Sequence, residues 1–339
     1  MRYQLLGSSG LRVSEMALGT MTFGDDWGWG AGKDACEEMF DQYVGAGGNF
    51  IDTANNYTNG TSERIVGELV GDDRDEFVIA TKYTLNTRPN DPNAGGNHRK
   101  NMFQSVEESL DRLDTDYIDL LWVHAWDGMT PIEEVMRGLD DLVSSGKVHY
   151  VGFSDTPAWV VARTQTIADE RDWTPISALQ LKYNLLERTP ERELLPMARE
   201  LDFGVTVWGP LESGILTGKY NRSGDDEGRV TKLEQDVSDH EKKVAQVVVD
   251  VAEEVDATPA QVALAWIRQQ PGQLLPILGA TTPNQLDDNL ASLDVELGIG
   301  ELERLDEVSE IDLGFPHEFL SQEFVRQLIF GETAEDIDA

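Results

Sequence analysis

Four residues with complementary proton chemistry stand at the ends of apolar runs. Asp52 follows Phe50-Ile51, and Tyr57 lies five positions further on. Lys82 follows Phe77-Val78-Ile79-Ala80-Thr81, and His124 follows Leu121-Trp122-Val123. A tyrosine alone is a weak acid with an ordinary pKa of about 10. A neighbouring ammonium favours the phenolate and lowers that value. A carboxylate beside the lysine holds the ammonium charged and in place. The tyrosine then becomes a usable proton donor to a carbonyl oxygen, and the histidine can orient or polarise the same oxygen. Positioned proton transfer of this kind contributes roughly 10²- to 10⁴-fold in rate. A carbonyl that gains a proton also needs a hydride, which a nicotinamide supplies and no side chain does. Taken singly, each group has a plainer reading: Asp52 as a turn or cap, Lys82 as a solvated rim residue, His124 as a structural hydrogen-bond partner. Their joint placement on three successive strand ends is what sets them apart.

These residues need a scaffold that gathers strand ends, and the chain has one written in its periodicity. Eight apolar runs recur: 16–19, 49–51, 77–80, 118–123, 148–152, 178–180, 205–208 and 274–278. Amphipathic stretches separate them, at 33–46, 62–70, 102–113, 132–145, 159–170, 192–201, 241–254 and 284–293. Gly146 suits a helix C-cap. Thr258-Pro259 opens a further helix, with threonine at the N-cap and proline at the first helical position. Eight such units in one chain predict an α/β fold, a (β/α)8 TIM barrel with its chemistry at the C-terminal strand ends. A doubly wound sheet is the alternative, but the G-x-G-x-x-G fingerprint after a strand is absent. Gly28-Trp29-Gly30-Ala31-Gly32 imitates it without a preceding strand, and reads as a mobile loop over the barrel mouth. Tyr3-Gln4-Leu5 and Leu11-Arg12-Val13 flank a turn, a β-hairpin that would close the barrel bottom.

The 339 residues hold 63 Asp and Glu against 27 Lys and Arg, a net charge of -36. Such a field repels nucleic-acid phosphates and anionic membrane surfaces, and no basic cluster exceeds three residues. No apolar run of about 20 residues exists to span a bilayer. The acid is spread over the helical stretches, with Asp225-Asp226-Glu227 its densest patch, and lysine is scarce. This pattern is expected of a halophilic cell's salt-rich cytoplasm, where the Debye length falls to about 3 Å near 1 M and self-repulsion is screened. His149 precedes its apolar run and belongs to the barrel bottom. His98, His240 and His317 form no spaced cluster, so no metal site is expected. Cys36, the one cysteine, sits beside Glu37 and Glu38, which disfavour its thiolate. No internal disulfide is possible.

Long ordered stretches carry a family resemblance: LGSSGLRVSEMALGTMTFG (6–24), GGNFIDTANNYTNGTSERIVGELV (47–70), VIATKY (78–83), RLDTDYIDLLWVHAWD (112–127), VGFSD (151–155), LQLKYNLLER (179–188), VWGPLESGILTGKY (207–220) and PILGATTPNQLDDNL (276–290). The chain resembles the aldo-keto reductases over about residues 1–310, most closely bacterial and archaeal general stress protein-like and potassium-channel β-subunit-like members. The resemblance implies one barrel domain over 1–339 that binds NAD(P)(H) across its mouth and reversibly reduces aldehydes or ketones to alcohols. It implies Asp52, Tyr57, Lys82 and His124 as the catalytic tetrad. Ser154 and Gln180 would hold the nicotinamide carboxamide, with Asp155 in place of the usual asparagine and able only to accept. Trp208 would stack under the nicotinamide. Gly19, Thr20 and Met21 would line the cofactor site with Asp52. Gly209, Pro210, Leu211, Gly214, Leu216 and Lys219 would wrap the pyrophosphate, and Gly279, Thr281, Gln285 and Asn289 the adenosine.

Thr281 stands where relatives usually carry an arginine for the 2′-phosphate. A threonine hydroxyl offers one neutral hydrogen bond instead of a charge-assisted pair. NADP(H) remains the single label that the resemblance favours, with NAD(H) or dual use opened by Thr281. Trp27, Trp29 and Trp126 are expected to wall a substrate pocket for a small carbonyl compound, aromatic faces suiting flat apolar substrates and Asp25, Asp26 and Asp127 suiting polyols. The alternative role is a redox-sensing regulatory subunit of a membrane channel. A Schiff-base aldolase using Lys82 would leave Tyr57, Gln180 and 276–290 without a role. Whether the chain is a monomer or a homo-oligomer is open. A C-terminal helical extension is expected beyond the barrel, and whether its Phe319, Phe324, Leu328, Ile329 and Phe330 cover the mouth or meet a partner is also open.

Overall fold

The computed structural model describes residues 1–221 and 236–337. Eight parallel strands close into a barrel: β3 (Ala17–Gly19), β4 (Phe50–Asp52), β5 (Val78–Tyr83), β6 (Ile118–Val123), β7 (Val148–Ser154), β8 (Ile176–Lys182), β9 (Gly204–Trp208) and β10 (Leu274–Gly279), with β10 pairing β3. The expected (β/α)8 barrel is therefore present. An antiparallel hairpin, β1 (Tyr3–Leu5) and β2 (Arg12–Ser14), precedes it. Leu6 and Val13 from that hairpin are fully buried with Ala17, Phe50, Val78, Leu120, Ala178 and Leu275. They plug the barrel, because interior side chains need a lid at the end that carries no chemistry.

Around the barrel run α1 (Lys33–Gly45), α2 (Thr61–Val70), α3 (Arg99–Leu113), α4 (Ile132–Ser144), α5 (Ala158–Arg171), α6 (Leu194–Glu200), α7 (Asp239–Glu254), α8 (Pro259–Arg268) and α9 (Pro283–Ala291). Their apolar stripes face the strands. In α4 the buried residues Ile132, Val135, Met136, Leu139 and Leu142 recur at three- and four-residue spacing, the signature of one covered helix face. Thr258 and Gln261 cap α8 reciprocally, with Pro259 in its first turn as the sequence indicates. Ser238 and Glu241 do the same for α7.

Strand ends differ from the apolar runs in an instructive way. The runs stop at the last apolar residue, but hydrogen bonding continues, so Asp52, Lys82, Ser154, Gln180 and Trp208 lie inside their strands. Their side chains thus point along the inward parity of the barrel instead of belonging to following loops. Beyond residue 294 come α10 (Ile299–Val308), α11 (His317–Leu320) and α12 (Glu323–Phe330), a helical extension. It is tethered at the barrel rim where Arg192 donates to the Asp312 carbonyl (2.6 Å) and His317 pairs with Glu193 (3.3 Å). Phe315, Leu328 and Ile329 on it are largely exposed. Asp225-Asp226-Glu227 lies outside the described residues. No helix among the described residues is long and apolar enough to cross a membrane.

Candidate active site

Asp52 closes β4 and Lys82 sits near the end of the adjacent β5, both pointing into the barrel. Lys82 is fully buried, and its Nζ donates to Asp52 Oδ2 (2.5 Å) and to the Thr53 carbonyl (2.8 Å). Burying an ion pair is costly unless each charge is fully hydrogen-bonded. Here Asp52 Oδ1 accepts from Gln180 Nε2 (2.9 Å) and from Trp122 Nε1 (3.2 Å). The carboxylate is thereby held from three strands.

Tyr57 reaches this pair from a short turn, Tyr57–Gly60, in which Thr58 and Asn59 adopt positive φ of 44° and 55°. Such backbone is costly and persists only where its surroundings enforce it. Thr58 Oγ1 donates to the Phe23 carbonyl (2.7 Å) and accepts from the Ser62 amide (3.0 Å), which pins the turn. Lys82 Nζ then lies 4.7 Å from the centre of the Tyr57 ring. The His124 ring stands edge-on to Tyr57 at 6.0 Å, its backbone amide donating to the Tyr83 carbonyl (3.1 Å). The four expected residues therefore meet at one point of the mouth.

Their electrostatics depart from the sequence expectation in one respect. Burial pushes the Tyr57 phenol up, and the Lys82 charge offsets only part of that rise, while Asp52 adds to it. A net fall in the tyrosine pKa does not occur. The phenol stays protonated at neutral pH, and the Lys82 charge favours its ionised form without outweighing burial. The Lys82 ammonium is itself held above its ordinary value: burial lowers it, and Asp52 and Tyr57 together more than compensate. Burial, then the Lys82 charge, pushes the His124 imidazole down to about 3, so it is neutral. His124 Nδ1 is buried without a partner. Burial pushes Cys36 up to about 11, which leaves it an inert thiol.

The other expected contacts surround this centre. Ser154 ends β7, and Asp155 follows at positive φ, accepting from Trp208 Nε1 (3.0 Å). Burial raises the Asp155 carboxyl, while the Trp208 N–H and Lys82 pull it down. Gln180 also donates to Thr206 Oγ1 (3.2 Å), so both its amide hydrogens are engaged and its Oε1 is left to accept. Beside Asp155 and Gln180 a cavity of about 370 Å³ opens outward, lined by Phe153, Val161, Leu179, Leu181 and Pro190 among others. Gly19 lies against β10: a Cβ there would sit 2.6 Å from Ile277 Cγ2. Thr20 is buried beneath Asp52, its hydroxyl donating to the Asp52 carbonyl (3.1 Å), and Met21 is half-buried beside it. After β9 come Gly209, Pro210 and Leu211, then Gly214, whose open backbone leaves room for Lys219 Nζ 3.0 Å from where a Cβ would stand. Leu216, by contrast, is buried in the helix-facing core, so only its backbone can face a ligand. Thr281 donates from both its amide (2.9 Å) and its hydroxyl (3.0 Å) to Gln285 Oε1. Asn289 donates to the Gly279 carbonyl (3.5 Å).

These features suit a nicotinamide dinucleotide. A spare amide oxygen on Gln180 and an ammonium over a glycine turn are what a carboxamide and a pyrophosphate would satisfy.

The aromatic wall is only partly gathered. Trp27 and Trp29 pack on each other at 5.6 Å in the loop after β3. That loop is pinned, since the Ala31 amide donates to the Thr22 carbonyl (2.7 Å) and Thr22 Oγ1 to the Ala280 carbonyl (2.5 Å). Its glycines at 28 and 30 have positive φ, so the run is a tight turn. Trp126 is half-buried against the helix-facing core. Asp127 is not free for a polyol: its carboxylate accepts from the Asn97 amide (2.8 Å), the Met129 and Thr130 amides and the Thr130 hydroxyl (2.7 Å). It clamps two loops together. Residues missed from sequence include Trp122, Thr206, Lys182 and Glu212, the last two paired at 2.7 Å under Trp208. Period-two parity was a usable signal, because Trp122 is two positions before His124 and Lys182 two after Gln180.

Comparison with known proteins places the fold and site in context. The chain belongs to the aldo/keto reductase family, whose model matches residues 15–310. It is 36% identical to norsolorinic acid reductase of Aspergillus flavus, over 98% of this chain and 87% of that protein. It is 36% identical to aryl-alcohol dehydrogenase GME11368 of Pestalotiopsis microspora, over 94% and 85%. It is 35% identical to putative aryl-alcohol dehydrogenase AAD14 of Saccharomyces cerevisiae, over 93% and 88%. The protein is an NAD(P)-dependent oxidoreductase acting on carbonyls or alcohols. These relatives are fungal and yeast enzymes. They overturn the expected kinship with bacterial, archaeal and channel-subunit branches, and the halophilic source with it. The charge of -36 resembles a salt adaptation, but composition reports a surface and not an ancestry.

Proposed function

We propose that this protein, acting as one catalytic unit over residues 1–339 in the cytoplasm, interconverts aromatic aldehydes or ketones and their alcohols, with Tyr57 as proton donor to the carbonyl oxygen. The observation that carries this is the convergence of Tyr57 on a fully buried Lys82–Asp52 pair. When bound, the nicotinamide supplies the hydride that the carbonyl carbon receives. Tyr57 Oη gives its proton to the carbonyl oxygen as the alcohol forms, and Lys82 stabilises the resulting phenolate. Asp52 keeps Lys82 charged. Neutral His124 positions the oxygen without competing for the proton.

Gln180 Oε1 and Asp155 would accept from the carboxamide, with Ser154 beside them, and Trp208 would offer a stacking face to the nicotinamide. Lys219 and the backbone around Gly209 and Gly214 would hold the pyrophosphate. Thr281 has its hydroxyl hydrogen engaged by Gln285, so it greets a ribose 2′-hydroxyl better than a 2′-phosphate. NADPH and NADH are both accepted, with a weaker NADPH preference than an arginine would impose. The names of the relatives and the Trp27–Trp29 pair favour a flat aromatic substrate, and the engagement of Asp127 disfavours a polyol.

Tyr57→Phe tests the assignment. The variant should bind cofactor normally by titration calorimetry and lose at least about 10²-fold in kcat. Turnover near the wild-type rate would refute the role.

A further inference from the structure

The barrel layer at Lys82 is built asymmetrically. In register across three strands stand Lys82 on β5, Trp122 on β6 and Gly152 on β7. Trp122 is fully buried. A Cβ on Gly152 would collide with its ring, so the neighbouring strand yields its side-chain volume to the indole. A leucine or phenylalanine could fill a barrel layer without such an accommodation. What the indole adds is one N–H, a donor that cannot accept. That N–H reaches Asp52 Oδ1, on the strand beyond Lys82. Gln180 reaches the same oxygen from the opposite side, and Oδ2 is left to Lys82.

We propose that Trp122 is a positioning residue for the reaction: its indole N–H, with Gln180, orients the Asp52 carboxylate and shares its charge, which sets how strongly Lys82 can stabilise the Tyr57 phenolate. The inference rests on the tetrad reading given above. Its chemistry is direct. A carboxylate that loses a donor at Oδ1 concentrates its charge and draws harder on the Lys82 proton through Oδ2. Lys82 then supports the phenolate less, and the tyrosine becomes harder to ionise. The other charged or titratable groups facing Tyr57, namely His124 after β6 and Asp155 after β7, keep their places.

The test replaces Trp122 site-specifically with benzothienylalanine, which exchanges the indole N–H for sulfur and keeps the bicyclic shape. Steady-state reduction is followed against pH, alongside cofactor affinity by calorimetry and thermal melting. The expected result is about a tenfold fall in kcat, the scale of one hydrogen bond to a charged group. The high-pH limb of kcat should move to higher pH, with cofactor affinity essentially unchanged and the melting temperature lowered only modestly, because the buried Asp52 carboxylate loses one donor. Trp122→Phe should move the limb in the same direction, even though its smaller ring lowers the melting temperature. An unmoved limb in the benzothienyl enzyme overturns the proposal, whether kcat is retained or falls only with stability. Tyr57→Phe separates the two readings. Full turnover in that variant overturns the tetrad reading, whereas an inactive Tyr57→Phe beside an unaltered benzothienyl enzyme overturns the role of Trp122 alone.

Discussion

Replacing Lys82 with methionine removes one charge from the centre of the site and keeps most of the stem's volume. At the observed 4.7 Å between Nζ and the Tyr57 ring centre, two unit charges attract by about 3.5 kcal/mol at an effective dielectric of 20. That converts to roughly 300-fold at about 1.4 kcal/mol per decade, so kcat should fall by about 10²- to 10³-fold. The pH profile should change in a defined sense. Reduction needs the protonated phenol, so its rate is flat at low pH and falls as pH rises through the Tyr57 ionisation. Loss of the ammonium moves that ionisation upward, and the falling limb should move to higher pH. Stability should fall as well, because Asp52 would remain as a buried carboxylate with only Gln180 and Trp122 as donors. Breaking a buried pair in this way costs about 3–5 kcal/mol. Stopped-flow single turnovers with saturating cofactor and a guanidinium titration measure the two losses separately. A Lys82→Met enzyme that folds, binds cofactor and turns over within tenfold of wild type would refute the electrostatic role given to Lys82.

Two further outcomes follow from the same geometry. Thr281→Arg should raise the ratio of kcat/KM for NADPH over NADH by at least about tenfold, since it adds a charge-assisted pair to the 2′-phosphate; a wild-type enzyme already preferring NADPH more than 100-fold would contradict the reading of Thr281. His124 has a folded pKa of about 3 against an ordinary 6.5, so the unfolded chain takes up a proton there first. Its contribution to stability is complete above pH 6.5 and declines as pH falls toward 3, by on the order of 5 kcal/mol. The stability difference between wild type and His124→Gln, measured by urea unfolding, should shrink across that window; a constant difference would mean the imidazole is not held neutral.

The barrel was legible because its strands are short continuous apolar runs and its helices carry a three-to-four spacing. Boundaries were less so. Lys82 and Gln180 look like residues that end a strand, because a buried charge or amide is not what an apolar run contains. Only the compensating partners explain how the strand carries them inward. The helical extension was expected, but its bounds were not legible: the apolar residues of α10 are few, with Leu305 its buried anchor. Asp127 looked like a free acid for a sugar. Its four hydrogen-bond donors come from its own loop and from Asn97, a contact between loops that periodicity does not encode. The Tyr57 pKa was expected to fall because the sequence displays the lysine but not the burial that opposes it.

Residue identity and local spacing alone settled the chemical types available, the five-residue step from Asp52 to Tyr57, and the barrel that gathers them. Barrel closure decided the rest. The Asp52 carboxylate is held by Lys82, Trp122 and Gln180, which lie 30, 70 and 128 positions away along the chain. Hydrogen-bond reach extends only about 3 Å, so contacts over such separations exist only when three strands bring their inward-facing residues to one level. That convergence sets four ordinary side chains in the arrangement that the proposed proton transfer requires.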